Sequence, residues 1–277
     1  ESCAEGIKAY LNYKAPEIID YNIDDLEFLN IKNILKNVKT KNLTEFEALK
    51  VFDVIGINTV KSHVVSNLTK ARAFSKKIGF PLVMKILTSE IQHKTDIDGV
   101  ELNVNSDKDL KSRYDKLSKV FQNLKIQADK RHFIIQKMET GLAEFILGYR
   151  VDELVGPIVV IGSGGVLSEV YDDKSIRIAP VNFKQAKMMI SEVKSSIIFD
   201  GFRGLPKTNI DILARAIVNI SQLAFVKEIK EAEINPVIIK KEGVVAVDGL
   251  INLSWYFFRQ FLKTNKIYIY LLNNYFI

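Results

Sequence analysis

The sequence predicts an α+β fold, and three observations indicate that class. Residues 57 to 105 alternate between strand-like and helix-like patterns. From residue 133 onward, apolar strand-like runs are interrupted by two helical stretches, near 183–198 and 208–226. The chain has 277 residues, of which 47% are hydrophobic, so it can bury one good-sized core or two smaller ones. One or two packed domains are therefore expected.

Composition and charge argue against several classes of protein. Lys and Arg number 39 against 33 for Asp and Glu, a formal net charge of +6, and the positive charges are scattered along the chain. We therefore expect no nucleic-acid partner. Cys3 is the only cysteine, which excludes an intramolecular disulfide and a zinc site made of thiolates. A reducing, cytoplasmic compartment fits this cysteine usage best.

The two ends of the chain differ from its centre. The first residues lack an initiator methionine and the basic and apolar regions of a secretory signal, and they look like a piece of a longer chain. No run reaches the roughly 18 apolar residues that a membrane-spanning helix needs, so no span is expected. Residues 254–277 form an aromatic tail of unknown role.

Helix and strand signals follow one another in a clear order. Residues 1 to about 40 predict a short helix and a linker. Thr44 and Glu47 then match a capping box, which predicts a helix to about Ile55. Further helices are predicted at residues 69–78, 107–123, 183–198 and 208–226. Strands are predicted between residue 57 and the helix at 69, and at residues 80–86, 100–104, 133–138, 143–151, 157–161, 231–239 and 244–248.

The link at residues 91–100 joins two strand-like runs and contains His93, Lys94 and Asp96. A neutral imidazole titrates near neutrality and can accept and release a phosphoryl group, which makes His93 a candidate nucleophile toward phosphorus. Lys94, together with Lys85 on the preceding run, can balance the charge of a phosphate. The alternative is an ordinary loop histidine that makes one hydrogen bond.

A glycine cluster, Gly162-Ser163-Gly164-Gly165, follows the strand predicted at 157–161. Glycines let backbone N–H groups approach an anion closely, so the cluster is a candidate phosphate cradle. A plain turn is the alternative. The cluster lacks the Gly-Lys-Ser/Thr of a Walker loop and the full spacing of a dinucleotide fingerprint.

Arg203 lies in Asp200-Gly201-Phe202-Arg203-Gly204. The flanking glycines leave space beside its guanidinium group. Because that group can contact a phosphate or carboxylate through two hydrogen bonds, Arg203 is a candidate anion-binding residue.

Oxygen-bearing side chains cluster near the last two predicted strands. Asn235 and Asp248 are expected near the ends of two strands joined by a tight turn, and Glu233 shares the strand face of Asn235. Hard oxygen ligands shared with substrate phosphates are what Mg²⁺ selects. A solvated hairpin end is the alternative.

Taken in chain order, these residues resemble the ATP-grasp part of the ADP-forming acyl-CoA synthetases of the acetate–CoA type, relatives of the succinyl-CoA synthetase β subunit. The likeness covers about residues 43 to 253. The motifs that carry it include Leu43-Thr44-Glu45-Phe46-Glu47-Ala48-Leu49-Lys50, Gly79-Phe80-Pro81 to Lys85, His93-Lys94-Thr95-Asp96, Gly162-Ser163-Gly164-Gly165, Gly201-Phe202-Arg203-Gly204 and Glu233-Ile234-Asn235-Pro236.

The resemblance implies an ATP-grasp fold, in which two α/β subdomains enclose a nucleotide site. The ATP-grasp domain would span residues 41–253. Its first subdomain would cover about 55–130 and its second about 131–253. Residues 1–40 would be the end of an upstream ligase-like domain and a linker.

The resemblance also implies a reaction, in which an acyl-CoA, ADP and phosphate interconvert with the acid, CoA and ATP through a phosphohistidine. His93, Glu233 and Arg203 would be catalytic, and Asn235 and Asp248 would bind Mg²⁺. The residues implied to bind ATP or ADP are Lys85, Lys94, Gln136, Lys137, Met138, Glu144, Gly164 and Gly165.

A CoA-binding and ligase portion, fused or in a separate α subunit, is the implied partner and would bind the acyl-CoA and carboxylic acid substrates. Two alternatives remain open: the β subunit of a succinyl- or malate-CoA ligase, and a non-catalytic regulatory ATP-grasp domain of a protein acetyltransferase. One position departs from the family pattern. Asp98 stands where the family has a glycine, in the link that contains His93.

Overall fold

The computed structural model describes residue 11 and residues 25–91, 94–127, 131–165, 173–201 and 206–254. Within these ranges the chain forms helices packed on two antiparallel sheets, which confirms the predicted α+β class. His93, Arg203 and residues 255–277 lie outside the described residues. A search of the described helices for one long and apolar enough to cross a membrane finds no candidate.

Six complete α-helices and ten strands lie within the described ranges. The helices α1 to α6 span Asp25–Leu35, Glu45–Val54, Leu68–Ile78, Asp107–Asn123, Phe183–Glu192 and Ile210–Ser221. The strands β1 to β10 span Ser62–Val65, Leu82–Leu87, Val100–Val104, His132–Lys137, Ala143–Asp152, Gly156–Ser163, Lys174–Ile178, Ile229–Lys240, Gly243–Ala246 and Leu250–Leu253. Short 3₁₀ helices span Lys94–Ile97, Lys194–Asp200 and Gln222–Phe225.

The first sheet has the strand order β1-β4-β2-β3. Met84 and Ile86 on β2 point to one face, where α4 packs Leu117 and Phe121 against them in a buried core. Successive side chains of a strand point to opposite faces. Lys85, between Met84 and Ile86, therefore points to the other face, toward the second sheet.

Strand β4 belongs to the first sheet. It pairs with both β1 and β2, so the first sheet continues through Lys137, past the predicted subdomain boundary near residue 131. The local pattern of β4 is that of any buried strand. Its partners are set by long-range pairing, which a local pattern does not reveal.

The second sheet has the strand order β10-β8-β5-β6-β7, and β9 also pairs with β8. Helices α5 and α6 cover one face; α6 buries Leu213, Ile217 and Ile220 there. Strands β7 and β10 were not predicted. Each has five residues or fewer, and β7 buries only Ser175, so neither has a strong apolar alternation.

Helix α1 packs against the core of the second sheet, and the assignment of residues 1–40 to a ligase-like end and a linker stays a prediction. Its Ile31 and Leu35 are buried in the same core as α2, α6 and the second sheet. Two buried positions make a narrow apolar stripe, which explains the weak periodicity of this stretch.

The chain enters and leaves the first sheet at one place. Residues 31–60 share a core with the second sheet, whereas most buried residues between 65 and 135 form the separate core of the first sheet; Leu87 and Ile134 join the core of the second sheet. At the junction, the backbone N–H of Lys137 donates to the carbonyl of Lys61 at 3.1 Å. Thr59, just before this point, forms a parallel bridge with Ala246 of β9.

Candidate functional site

A cleft of about 270 Å³ lies between the first sheet and the edge of the second. Its walls come from segments far apart in the chain: the start of α2, the link after β2, strand β8 and the link between β9 and β10. The polar residues that line it include Asn42, Glu45, Thr88, Lys94, Glu233, Asn235 and Asp248. Four of the predicted site residues are thus brought together, and Lys85 joins them through direct contacts.

Two lysines and two carboxylates form a compact cluster at the floor of the cleft. The Lys85 Nζ donates to Glu45 Oε1 at 2.8 Å and to Asp248 Oδ2 at 2.9 Å. The Lys94 Nζ lies 3.0 Å from Glu45 Oε2 and 3.9 Å from Asp248 Oδ1. Gln136 adds a neutral donor, its Nε2 to Glu45 Oε1 at 2.8 Å. The cluster joins α2, β2, β4, the 3₁₀ turn and the second sheet.

Burial and pairing act in opposite directions on the pKa values of this cluster. Burial alone would lower the pKa of Lys85, but Glu45 and Asp248 raise it above its ordinary value. Burial raises the pKa of Glu45, against the effect of Lys85. Burial would also raise the pKa of Asp248, but Lys85 and Lys94 hold it below its ordinary value. Lys85 and Asp248 are therefore held in their charged forms and are ready to exchange partners with an anion or a metal.

Asn235 reaches the cleft because β8 bulges there. Ile234 pairs with Leu147 and Val237 pairs with Phe145, so two residues of β8 face one of β5. Asn235 therefore lies within β8 and not at a strand end as predicted. Its Nδ2 donates to Glu233 Oε1 at 3.1 Å, which leaves the amide oxygen to accept from or coordinate a ligand.

The oxygens of Asn235 and Asp248 fit a magnesium ion that is shared with phosphates. Both side chains line the same cleft, and both offer the hard oxygen donors that Mg²⁺ prefers. Mg²⁺ in phosphate-binding sites is commonly held by one or two protein oxygens, with substrate oxygens and water completing the shell. The set of residues therefore suits the predicted metal.

The three residues predicted to border the adenine do not all face the cleft. Gln136 is buried at the floor of the cleft, where its Nε2 donates to Glu45. Lys137, the next residue on β4, points to the opposite side of the sheet, where its Nζ donates to the carbonyl of Phe80 at 2.9 Å. Strand alternation makes this unavoidable. Met138 donates its backbone N–H to the carbonyl of Pro81 at 3.1 Å.

Gly164 allows two strands to approach closely. Its N–H donates to the carbonyl of Glu144 at 2.8 Å, and a Cβ at this position would lie 2.7 Å from the carbonyl carbon of Glu144. Strand β6 extends to Ser163, so half of the predicted loop is strand. Gly165 has φ +85°, a conformation that favours glycine. The phosphate-binding role of the two glycines stays a prediction, as does the ribose contact of the exposed Glu144.

The turn after His93 is tightly closed. Lys94 to Ile97 form one 3₁₀ turn, and the N–H of Gly99 donates to the carbonyl of Lys94 at 2.7 Å. Asp98 has φ +55°, in the left-handed region, so a side chain stands where the backbone favours a glycine. Aspartate is among the few residues that tolerate this conformation.

Replacing Asp98 with glycine is expected to raise the free energy of unfolding by about 1 kcal/mol, because a left-handed conformation costs a non-glycine residue roughly that much. Urea denaturation of both proteins measures the difference. Asp96→Gly is the control. It lies inside the 3₁₀ turn, where glycine only adds flexibility, and should lower stability. Equal losses in the two variants would contradict the strain at Asp98.

Glu45 was not among the predicted site residues. In the sequence it occupies the first turn of α2, between Thr44 and Glu47, where an acidic residue is explained by the helix dipole alone. Its burial and its contacts with Lys85 and Lys94 depend on elements 40 to 50 residues away. The signal that could have identified Glu45 as a site residue was its position in the motif that contains Thr44 and Glu47.

Comparison with known proteins agrees with this geometry. A family model described as ATP-grasp domain matches residues 34–253. The β subunit of acetate–CoA ligase (ADP-forming) I from Pyrococcus furiosus is 36% identical over 221 residues, which cover 79% of this chain and 95% of that subunit. The 4-hydroxybutyrate–CoA ligase (ADP-forming) of Nitrosopumilus maritimus is 32% identical over 82% of this chain, which spans only 33% of that longer protein.

A solved structure shares the fold. Acetyl-coenzyme A synthetase 1 of Ca. Korarchaeum cryptofilum, in complex with coenzyme A and Mg-AMPPCP, has a phosphohistidine segment pointing towards its nucleotide binding site. It matches 82% of this chain and all of its own, with a TM-score of 0.69 and 30% identity. The predicted ATP-grasp fold is confirmed. The chain therefore belongs to the ATP-grasp family, in the branch of the β subunits of ADP-forming acetate–CoA ligases.

Proposed function

We propose that the chain is the nucleotide-binding, phosphoryl-transfer portion of an ADP-forming acyl-CoA synthetase of the acetate–CoA type. The complete enzyme would interconvert acyl-CoA, ADP and phosphate with the acid, CoA and ATP. The observation that carries the proposal is the cleft itself. It gathers Lys85, Lys94, Asn235 and Asp248 from two distant parts of the chain around one space between two sheets.

Each of these residues has a chemical role in the proposal. Lys85 and Lys94 neutralise nucleotide phosphates, and Asn235 and Asp248 hold Mg²⁺. When bound, Mg²⁺ supplies further charge neutralisation on the phosphate oxygens. Such positioning and charge neutralisation account for most of the catalysis of phosphoryl transfer. Glu233, hydrogen-bonded to Asn235, orients the histidine that accepts the phosphoryl group.

His93 carries the phosphoryl group. When ATP is the phosphoryl donor, a nitrogen of the neutral imidazole attacks the γ-phosphorus. The bond between that phosphorus and the β,γ-bridging oxygen breaks, and ADP leaves. The reverse step returns the group to ADP. Lys94, the next residue in the chain, is held in the cleft by Glu45, which supports the placement of this relay beside the nucleotide. The phosphohistidine segment of the archaeal synthetase supports it independently.

The remaining predicted contacts complete the nucleotide site. We assign the adenine to the backbone of residues 136–138, the ribose to Glu144, and phosphate contacts to Gly164, Gly165 and Arg203. The side chain of Lys137 is left out, because it points away from the cleft.

The chain is proposed to act with a CoA-binding and ligase portion that binds the acyl-CoA and the acid. The relatives support either arrangement of that portion. One is named a β subunit and is covered almost completely, whereas only 33% of the 4-hydroxybutyrate–CoA ligase is covered, which leaves room for such a portion in the same chain.

Incubation with γ-labelled Mg-ATP should place an acid-labile phosphate on His93, and His93→Ala should remove the label. Phosphate bound to histidine nitrogen is read by its loss in acid and by mass spectrometry of the peptide. The control is His132→Ala, at the start of β4, which should label like the unchanged protein. Equal labelling of the His93→Ala protein would contradict the relay. Nucleotide binding without any label would favour a regulatory domain instead.

A further inference from the structure

Glu45 is the most completely buried charged residue of the cleft. Its side chain has no solvent exposure, and three donors converge on its carboxylate from three elements of the first sheet and its links. Oε1 accepts from both Lys85 and Gln136. Oε2 has no hydrogen-bond partner of good geometry and faces Lys94 at 3.0 Å. Such a buried carboxylate is costly to maintain, so its position calls for a function.

The two lysines need a shared counter-charge to stay close together. Both ammonium groups approach the same carboxylate within 3.0 Å, one from β2 and the other from the turn after His93. Without a negative charge between them, the two cations would repel each other and separate. Asp248 is the second carboxylate near them, but it is also a proposed Mg²⁺ ligand.

Glu45 and Asp248 therefore differ in what they are able to do. Asp248 is partly exposed on the cleft and has to divide its oxygens between the lysines and the metal. Glu45 is fully enclosed and is fixed at the first turn of α2 by the capping box of Thr44 and Glu47. Its carboxylate stays with the lysines whichever partner Asp248 takes.

We propose that Glu45 is a positioning residue that holds Lys85 and Lys94 as one pair aimed into the cleft and, through Lys94, fixes the turn that follows His93. The inference rests on the proposed phosphate-binding role of the two lysines. It goes beyond that role because it assigns to α2, which supplies no ligand in the proposal, control over the geometry of transfer.

The test separates binding from transfer. Glu45→Gln keeps the shape of the side chain and removes one negative charge. Nucleotide should bind about as tightly as before, within about threefold, or more tightly, because the cluster gains net positive charge. The single-turnover rate of His93 labelling by Mg-ATP should fall about tenfold or more, because the acceptor turn is no longer held in place. Calorimetry with Mg-ADP and rapid quench with labelled Mg-ATP measure the two quantities.

A second measurement does not depend on phosphoryl transfer. The N–H groups of Asp98 and Gly99 close the turn by donating to the carbonyls of Thr95 and Lys94. If Glu45 fixes this turn through Lys94, hydrogen exchange at these two amides should become faster in Glu45→Gln. Unchanged exchange there overturns the inference, whatever the labelling shows.

Glu101→Gln is the matched control. Glu101 is also a buried carboxylate shared by two cations, Arg113 at 2.8 Å and Lys116 at 2.6 Å, but it lies on β3 against α4. Its loss should lower stability without changing the labelling rate or the exchange of the turn. If affinity and labelling rate fell in both variants in proportion to their loss of stability, Glu45 would have only a structural role. That result would overturn the proposal.

Glu45→Asp tests whether the charge is what matters. It keeps the negative charge on a shorter side chain and should recover part of the labelling rate. If Glu45→Gln does not fold, Glu45→Asp is compared directly with the unchanged protein, and an unaltered rate overturns the proposal. Failure of the proposed function looks different: the unchanged protein would bind no Mg-ADP or carry no label, while the exchange measurement would still decide the role of Glu45.

Discussion

Replacing Lys85 with methionine is expected to lower the free energy of unfolding by about 3 kcal/mol, because it removes one partner of a buried ion pair and leaves the other charge buried. Lys85 donates to Glu45 at 2.8 Å, and the Glu45 side chain is fully buried. Lys94 remains beside Glu45, which keeps the loss at the lower end for a broken buried pair. Urea or thermal denaturation measures it. Affinity for Mg-ADP should also fall, since a cation proposed to bind phosphate is lost.

Two further proteins isolate the cause of this loss. Lys116→Met removes an exposed lysine from Glu101, which keeps Arg113, and should cost well under 1 kcal/mol. Adding Glu45→Gln to Lys85→Met should recover part of the stability, because the buried carboxylate that lost Lys85 is replaced by a neutral amide. A double variant less stable than Lys85→Met alone would show that the loss does not come from a stranded carboxylate.

Replacing Gly141 with alanine is expected to lower the free energy of unfolding by about 3 kcal/mol through overpacking against backbone. A Cβ on Gly141 would overlap the carbonyl oxygen of Ile239 and the Cγ2 of Ile238. The neighbouring Leu142 donates its N–H to the same carbonyl at 2.7 Å, so the backbone has little room to shift. Chemical denaturation of the variant tests the expectation.

Gly148→Ala is the matched control, because a Cβ there meets only the Cβ of Val160, at an ordinary 3.8 Å. It should be neutral or slightly stabilising, since glycine within a strand costs conformational entropy. Gly141 also lies in the connection between β4 and β5, which joins the two sheets. Affinity for Mg-ADP should therefore fall in Gly141→Ala and not in Gly148→Ala. Equal stability of the two variants would contradict the close contact at Gly141.

Sequence patterns were sufficient to predict features that depend only on residues close together in the chain. The capping box of Thr44 and Glu47 forms as predicted. Lys85 was recognisable as the one charge in an apolar strand, which suggested a buried or functional lysine. Glu233 and Asn235 share a face of β8, as their spacing required, although the bulge that turns Asn235 into the cleft has no signature in the sequence.

Long-range pairing accounts for most of what was missed. Strand β4 has the apolar run of a central strand, but only its partners decide which sheet it joins. Glu45 looked like an ordinary acidic residue at a helix start, and its function depends on lysines from two other segments. The orientation of Lys137 was predictable from alternation once Gln136 was placed inward, because adjacent residues of a strand face opposite ways.

The junction at Lys61 and Lys137 means that the first sheet is an insertion between two segments of the unit that contains α1, α2 and the second sheet. The outer unit is discontinuous in sequence: α1 and α2 are synthesised before the first sheet, but their core closes only with strands β5 to β10. The inserted unit, by contrast, is complete once Lys137 has been made, and its two ends are already hydrogen-bonded to each other. During synthesis on the ribosome, the inserted unit is therefore able to fold first, while the apolar faces of α1 and α2 stay unburied until β5 to β10 have been made.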